Sequence, residues 1–173
     1  MGVLGERAMT EQEKKEFFEF EKRSQAIIDQ YYLSRDHTVD RSVSCVYYDC
    51  LLDGQYKVEE KIRQIERSDI LVEFIQDAKT YAPGWFYETR CDYLHYVFMS
   101  ESGNSISRFV RINWSKFKDW CLNDYLKTNK HPYSIVSHKG WGITINFSIP
   151  IEEIPKQLIF VDDINKEANN EAG

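Results

Sequence analysis

The sequence predicts one domain of mixed α/β (α+β) class, in the order α-β-β-β-β-β-α-β. Three observations predict it. Glu11 to Ser34 repeats apolar residues at three- and four-residue steps. From Val43 to Ile112, short apolar runs alternate with polar residues and are separated by turn signals. The chain has 173 residues, 42% of them hydrophobic and 14% aromatic, which is enough to bury one core and too apolar for a disordered chain.

The first element is a long helix. Thr10 suits the N-cap, and Glu11 and Glu13 favour the first turn, where the helix dipole is positive. Phe17, Phe20, Ser24, Ile27, Ile28, Tyr31 and Tyr32 form one face, bordered by Glu21. Arg35 to Arg41 reads as a polar connection.

Val43 to Leu52 and Tyr56 to Ile65 read as a hairpin around Asp53-Gly54. With a three-residue loop, Asp53-Gly54-Gln55, and Gly54 in the left-handed conformation, Leu52 faces Tyr56, Cys50 faces Val58 and Asp49 faces Glu59. Lys61 then shares the face of Glu59, because side chains alternate along a strand. A two-residue loop pairs Glu59 with Tyr48 instead and turns Asp49 away.

Ile70 to Asp77 is the third strand, followed by a loop over Ala78 to Glu88. Asp92 to Ser100 and Ile106 to Ile112 are the fourth and fifth strands, joined by a Gly-Asn turn, and the set reads as a mostly antiparallel meander. A flanking helix runs from Trp114 to about Lys127, capped by Asn113 or Ser115, with Phe117, Trp120, Cys121 and Tyr125 inward. Thr128 to Ser137 is loop-like, and Ile143 to Ile149 is a strand ended by Pro150. Ile151 to Val161 reads as a short helical turn and a last extended piece. Residues 1–10 read as a flexible leader, 11–161 as the domain and 162–173 as a disordered acidic tail.

The net charge of −6 argues against bulk non-specific nucleic-acid binding but leaves room for a local basic groove. Cys45, Cys50, Cys91 and Cys121 have no C-x-x-C spacing, so zinc is not expected and three of them read as small core residues. With no signal peptide or transmembrane run in the sequence, a cytoplasmic, reduced protein without a membrane partner is expected.

The chemistry lies on the hairpin. Metal-assisted phosphodiester cleavage needs carboxylates for a divalent ion and a cation near the scissile phosphate. Asp49 on one strand and Glu59-Glu60-Lys61 on the next offer that set, and the bland reading of the same residues is a solvated cross-strand charge cluster. The layout resembles the PD-(D/E)XK nuclease superfamily, and within it small phage-type proteins. The pieces that carry the resemblance are Tyr48-Asp49-Cys50, Asp53-Gly54, Val58-Glu59-Glu60-Lys61, Leu71-Val72-Glu73-Phe74, Gly84-Trp85-Phe86-Tyr87 and Cys91-Asp92-Tyr93-Leu94. They span roughly residues 40 to 100.

The resemblance implies a restriction-endonuclease-like mixed central sheet and a nuclease acting on DNA. It implies that Asp49 and Glu59 bind Mg²⁺ (or Mn²⁺), that Lys61 is the catalytic lysine, and that Glu21 (or Glu19) is a further acid from the helix. Where the superfamily usually has an apolar residue, this chain has Glu60, which needs a partner if buried; Arg63 and Arg90 are the candidates. Arg63, Trp85, Lys139 and Trp141 are the candidate nucleic-acid contacts. Asp40 is a second candidate acid or a turn residue, and Glu73 is a ligand or the exposed side of an edge strand. Asp92 and His95 read as structural. The alternative to a nuclease is an inactive module of the same fold that binds nucleic acid or a host protein as a phage-encoded modulator. A homodimer served by the aromatic surface is a further expectation.

Overall fold

The computed structural model describes residues 10–128, 133–138 and 142–164, with the backbone alone for 133–138. Helix α1 (Glu11–Leu33) begins at Thr10, whose side chain accepts from the Glu13 N–H while Glu13 reaches back to the Thr10 N–H. This reciprocal cap satisfies two amides that a helix start leaves open. Ser24, Ile28 and Tyr32 are buried, as the apolar face requires, but Phe17 is 48% exposed. The first turns of α1 therefore project beyond the sheet that covers its second half.

The strands are β1 (Val39–Asp40), β2 (Cys50–Leu52), β3 (Tyr56–Arg63), β4 (Asp69–Asp77), β5 (Ala82–Pro83), β6 (Tyr93–Met99), β7 (Ile106–Asn113), β8 (Tyr133–His138), β9 (Gly142–Pro150) and β10 (Ile159–Asp162). They form two sheets, β1-β2-β3-β6-β7-β10 and β5-β4-β9-β8. The class is mixed α+β, and the six-stranded sheet is itself mixed: β3 and β6 run parallel, and its other neighbours are antiparallel.

This corrects the meander. The third strand, β4, does not pair with β3. It leaves for the second sheet and pairs with β9, so β6 returns beside β3 in the same direction. The physical reason is burial on both faces. From Leu94 to Met99 every residue of β6 is buried, so this strand belongs at the centre of the larger sheet. One face packs Ile28 and Tyr32 of α1 on Val58, Val97 and Phe109. The other packs Leu94, Tyr96 and Phe98 on Ile70, Val72 and Ile149 of the second sheet.

Several boundaries move. Of the predicted Val43–Leu52 strand only Cys50–Leu52 is strand, preceded by a bridge between Cys45 and Tyr48, while β1 arises in the predicted connection. The 78–88 loop holds β5 and helix α2 (Trp85–Glu88). Helix α3 (Trp114–Trp120) is capped by Asn113 and continues as a π turn over Cys121–Tyr125. The loop expected over Thr128 to Ser137 contains β8. The first residues of the expected tail are ordered: Asp162 closes β10 and accepts from the Tyr31 hydroxyl at 2.9 Å and from Arg35, and Asp163 pairs with Arg108, while residues 165–173 lie outside the described residues.

Gly84 marks the closest approach of the α2 loop to β4. Its N–H donates to the Phe74 carbonyl at 2.8 Å, and a Cβ there would lie 2.4 Å from the Glu73 carbonyl oxygen. Gly84→Ala is expected to destabilise the fold by about 2 kcal/mol, since backbone must shift to relieve the overlap. A chemical denaturation midpoint equal to wild type would refute this account of the loop.

Candidate active site

The β2–β3 hairpin has the three-residue register. Leu52 faces Tyr56, Leu51 faces Lys57 and Cys50 faces Val58. Both Asp53 (φ 55°) and Gly54 (φ 67°) are left-handed, whereas the sequence assigned that conformation to Gly54 alone. Asp53 tolerates it because its carboxylate accepts from the Thr38 N–H at 2.9 Å and contacts the His37 ring at 2.8 Å.

Pairing of β2 with β3 ends at Cys50–Val58, one residue before Glu59. Beyond it, Glu59–Arg63 has β6 on one side and, among the described residues, no strand on the other. Asp49 sits at this opening. Its N–H donates to the Val58 carbonyl at 2.8 Å, and its Oδ2 accepts the Glu60 N–H at 2.7 Å, an amide with no strand partner on that side. A carboxylate is thus fixed in the plane of the sheet where the strands part.

Alternation along β3 does the rest. Glu59 and Lys61 point to the side of the second sheet, where the Lys61 Nζ donates to Glu59 Oε1 and lies 5.0 Å from the Trp85 ring centre. Glu59 is 8% exposed. Burial chiefly raises its pKa, the Lys61 ammonium opposes that rise, and Asp49 adds to it. Glu21, on the projecting part of α1, is exposed, yet its pKa is also raised, by partial desolvation and then by Asp49, with Lys61 opposing. The charges of Asp49 and Lys61 therefore act on both Glu59 and Glu21. Glu21, Asp49 and Lys61 line one cleft of about 490 Å³ with Phe17 and Gln25.

Glu60 points the other way, toward α1, and is buried. Its partners are not the expected Arg63 or Arg90. Arg41 reaches both carboxylate oxygens, at 3.0 and 3.1 Å, and the Tyr32 hydroxyl donates to Oε1 at 2.9 Å. Arg41 is itself held by Asp29, at 2.6 and 2.9 Å. Arg63 instead donates from Nε to the Tyr96 hydroxyl at 2.7 Å, and Arg90 stacks on Tyr47. The reason lies in the pleat: Arg63 is on the face of Glu59, opposite that of Glu60. Val58 and Ile62 flank Glu60 in an apolar row, which signals that a cation must meet it. No local pattern names Arg41.

The remaining candidates divide clearly. Trp85 is half-buried, tilted against Trp114 with ring centres 5.6 Å apart, and adjoins the cleft through Lys61. Arg63 is occupied by Tyr96, and Glu19 is exposed and lies 3.9 Å from Lys15. Asp40 caps its own turn by accepting from the Ser42 N–H and hydroxyl. The Glu73 carboxylate accepts weakly from the Trp85 N–H at 3.4 Å, and Asp92 accepts from the Lys57 N–H at 2.9 Å. Lys139 and Trp141 lie outside the described residues.

Among the described residues, no group of three or more His, Cys, Asp or Glu side chains is placed to hold a metal ion. Cys50, Cys91 and Cys121 are buried, and burial raises the thiol pKa of each, to about 12 at Cys91. They are poor nucleophiles in these surroundings. No helix among the described residues is long and apolar enough to cross a membrane. Comparisons with protein-family models, with curated proteins and with solved structures give no match.

Proposed function

We propose that the chain is a divalent-metal-dependent nuclease of the PD-(D/E)XK type that hydrolyses phosphodiester bonds of DNA. The observation that carries this proposal is the open edge of β3. There a fixed Asp49 and Lys61 share a cleft with Glu21 where β2 ends, and Lys61 reaches a buried Glu59 that lies outside the cleft's lining. A mixed sheet with a long helix on one face supports the restriction-endonuclease-like fold.

The donor set suits a hard cation. Asp49 keeps Oδ1 and Glu59 keeps Oε2 outside the hydrogen bonds described above, and Mg²⁺ commonly binds through one or two carboxylates and retains waters. Asp49 and Glu59 would hold Mg²⁺ or Mn²⁺, which supplies charge neutralisation at the scissile phosphate. Lys61, steadied by the face of Trp85, presents a positive charge to the developing negative charge. The Glu60 amide orients Asp49, and the Glu60 side chain anchors β3 to α1 through Tyr32.

The direct test is incubation of the full chain with plasmid and with single-stranded DNA, with Mg²⁺ or Mn²⁺ added. Nicked, linear or shortened products are expected. Intact substrates under both metals would sink the proposal. A second reading, a module of this fold that binds nucleic acid or a protein partner without cutting, is favoured by one observation: the Lys61 ammonium is engaged by Glu59. Metal would then leave the melting temperature unchanged, whereas a nuclease site is stabilised by its ion.

A further inference from the structure

A second cavity, of about 330 Å³, opens beside the C-terminal half of α1 and contains none of the residues that line the cleft. Its walls include the rings of Tyr31, Tyr93 and Phe160, the guanidinium groups of Arg35 and Arg111, and the imidazole of His95. Three features of this lining point to a ligand.

The first is a lone pair without a donor. His95 is 2% exposed, and its Nε2 has no hydrogen-bond partner among the described residues. Its tautomer follows from its neighbours. The Tyr32 hydroxyl gives its proton to Glu60 Oε1, so its oxygen must accept at the 2.7 Å contact with His95 Nδ1. Nδ1 therefore carries the ring proton and Nε2 is a bare acceptor. Burial keeps the ring neutral, its pKa pushed down to about 3, with the charges of Arg111 and His37 acting in the same direction.

The second is an unpaired cation. The Arg111 guanidinium lies 5.5 Å from the Tyr93 ring centre and 5.3 Å from that of Phe160. It makes no ion pair among the described residues, whereas Arg35 is held by Asp162. The third is the aromatic wall. Phe160 is 49% exposed and leaves a ring face available for stacking.

We propose that this cavity binds a nucleoside monophosphate, free or as the end of a strand. The base stacks on the aromatic wall, the side chains over the shielded His95 Nε2 part so that a ring N–H or amino group donates to it, and the phosphate pairs with Arg111. Inorganic phosphate offers no ring. An amino-acid ligand brings an ammonium group for which the cavity has no free carboxylate among the described residues, since Asp53, the one acid among them that lines it, is engaged by Thr38 and His37.

The test is calorimetric titration of the full chain, in chelator, with the four nucleoside 5′-monophosphates, adenosine, inorganic phosphate and 4-hydroxybenzoate. At least one nucleotide is expected to bind, and its nucleoside and phosphate each to bind at least about tenfold more weakly. Arg111→Gln and Phe160→Ala, both at exposed positions, are each expected to weaken nucleotide binding about tenfold. His95→Phe removes the acceptor and keeps a ring, and is expected to flatten the preference among bases. A 5′-phosphorylated dinucleotide that binds equally assigns the site to a strand end, and weaker binding assigns it to the free nucleotide. No bound nucleotide, phosphate or 4-hydroxybenzoate binding as tightly as every nucleotide, or unchanged affinity in Arg111→Gln overturns the proposal. Lys61→Ala, which removes a cation from the cleft, separates the two sites: it is expected to leave nucleotide binding intact, and loss of binding in it would move the nucleotide to the cleft.

Discussion

Glu60→Ala is expected to lower the unfolding free energy by about 3 kcal/mol, the usual result of removing one partner from a buried ion pair. The side chain is 3% exposed and the Arg41 side chain 19%. Alanine leaves the guanidinium with Asp29 alone and takes the acceptor from the Tyr32 hydroxyl. It also cuts the link between β3 and α1. The loss is not the net worth of the pair, because burying both charges carries a desolvation cost of its own. A Glu60→Leu, Arg41→Leu double variant is therefore expected to recover much of the stability that either single change loses. Urea unfolding of Glu60→Ala, of the two leucine single variants and of the double variant measures this. A Glu60→Ala midpoint within error of wild type would show that the network contributes little.

Lys61→Ala and Glu59→Ala are expected to reduce metal-dependent DNA cleavage by about 100-fold or more, the scale associated with losing one charge-stabilising group. Neither side chain belongs to the two hydrophobic clusters, although Glu59 is buried and paired with Lys61. Glu59 and Lys61 sit at the unpaired edge of β3, so the variants are expected to fold, and circular dichroism checks this. Cleavage at the wild-type rate in both variants would place the chemistry elsewhere.

The pH dependence has a definite sign. Burial raises the Glu59 pKa above its ordinary value of 4.5, and metal binding needs the ionised form. Cleavage is expected to fall on the acid side through a step above the ordinary carboxylate range. Stability without metal runs the other way. A carboxyl whose pKa is raised on folding contributes most below about 4.5 and loses that contribution as pH rises through the folded value. The melting temperature of wild type minus that of Glu59→Gln is thus expected to decline across that window. A flat difference would mean that Glu59 titrates normally.

Local chemistry is what the sequence made legible. Thr10 and Glu13 are three residues apart, so the cap of α1 follows from spacing alone. The three-residue count from Leu52 to Tyr56 placed Cys50 opposite Val58, and the structure has that register. Phe117, Cys121 and Tyr125 are buried and Trp120 half-buried, as periodicity placed them, although the buried Trp114 was not among the expected inward residues.

What sequence could not assign depends on contacts across long separations. Periodicity shows that β4 is a strand but not which edge it pairs with. That choice is made by the shared need of β3, β4 and β6 to cover both faces of the centre. Likewise, Glu60 in an apolar row demands a cation, but any of several arginines could serve until the pleat and the path of residues 34 to 41 place Arg41 within reach. The pairing of Tyr32 with His95, 63 residues apart, has no local signal at all. By itself, then, the sequence determined the cap and buried face of α1 and the register of the β2–β3 hairpin, because these depend on neighbours a few residues away. Only the tertiary structure decided which sheet each strand joined, which charges were paired and where the cavities lay, because burial is settled when distant segments close on one core.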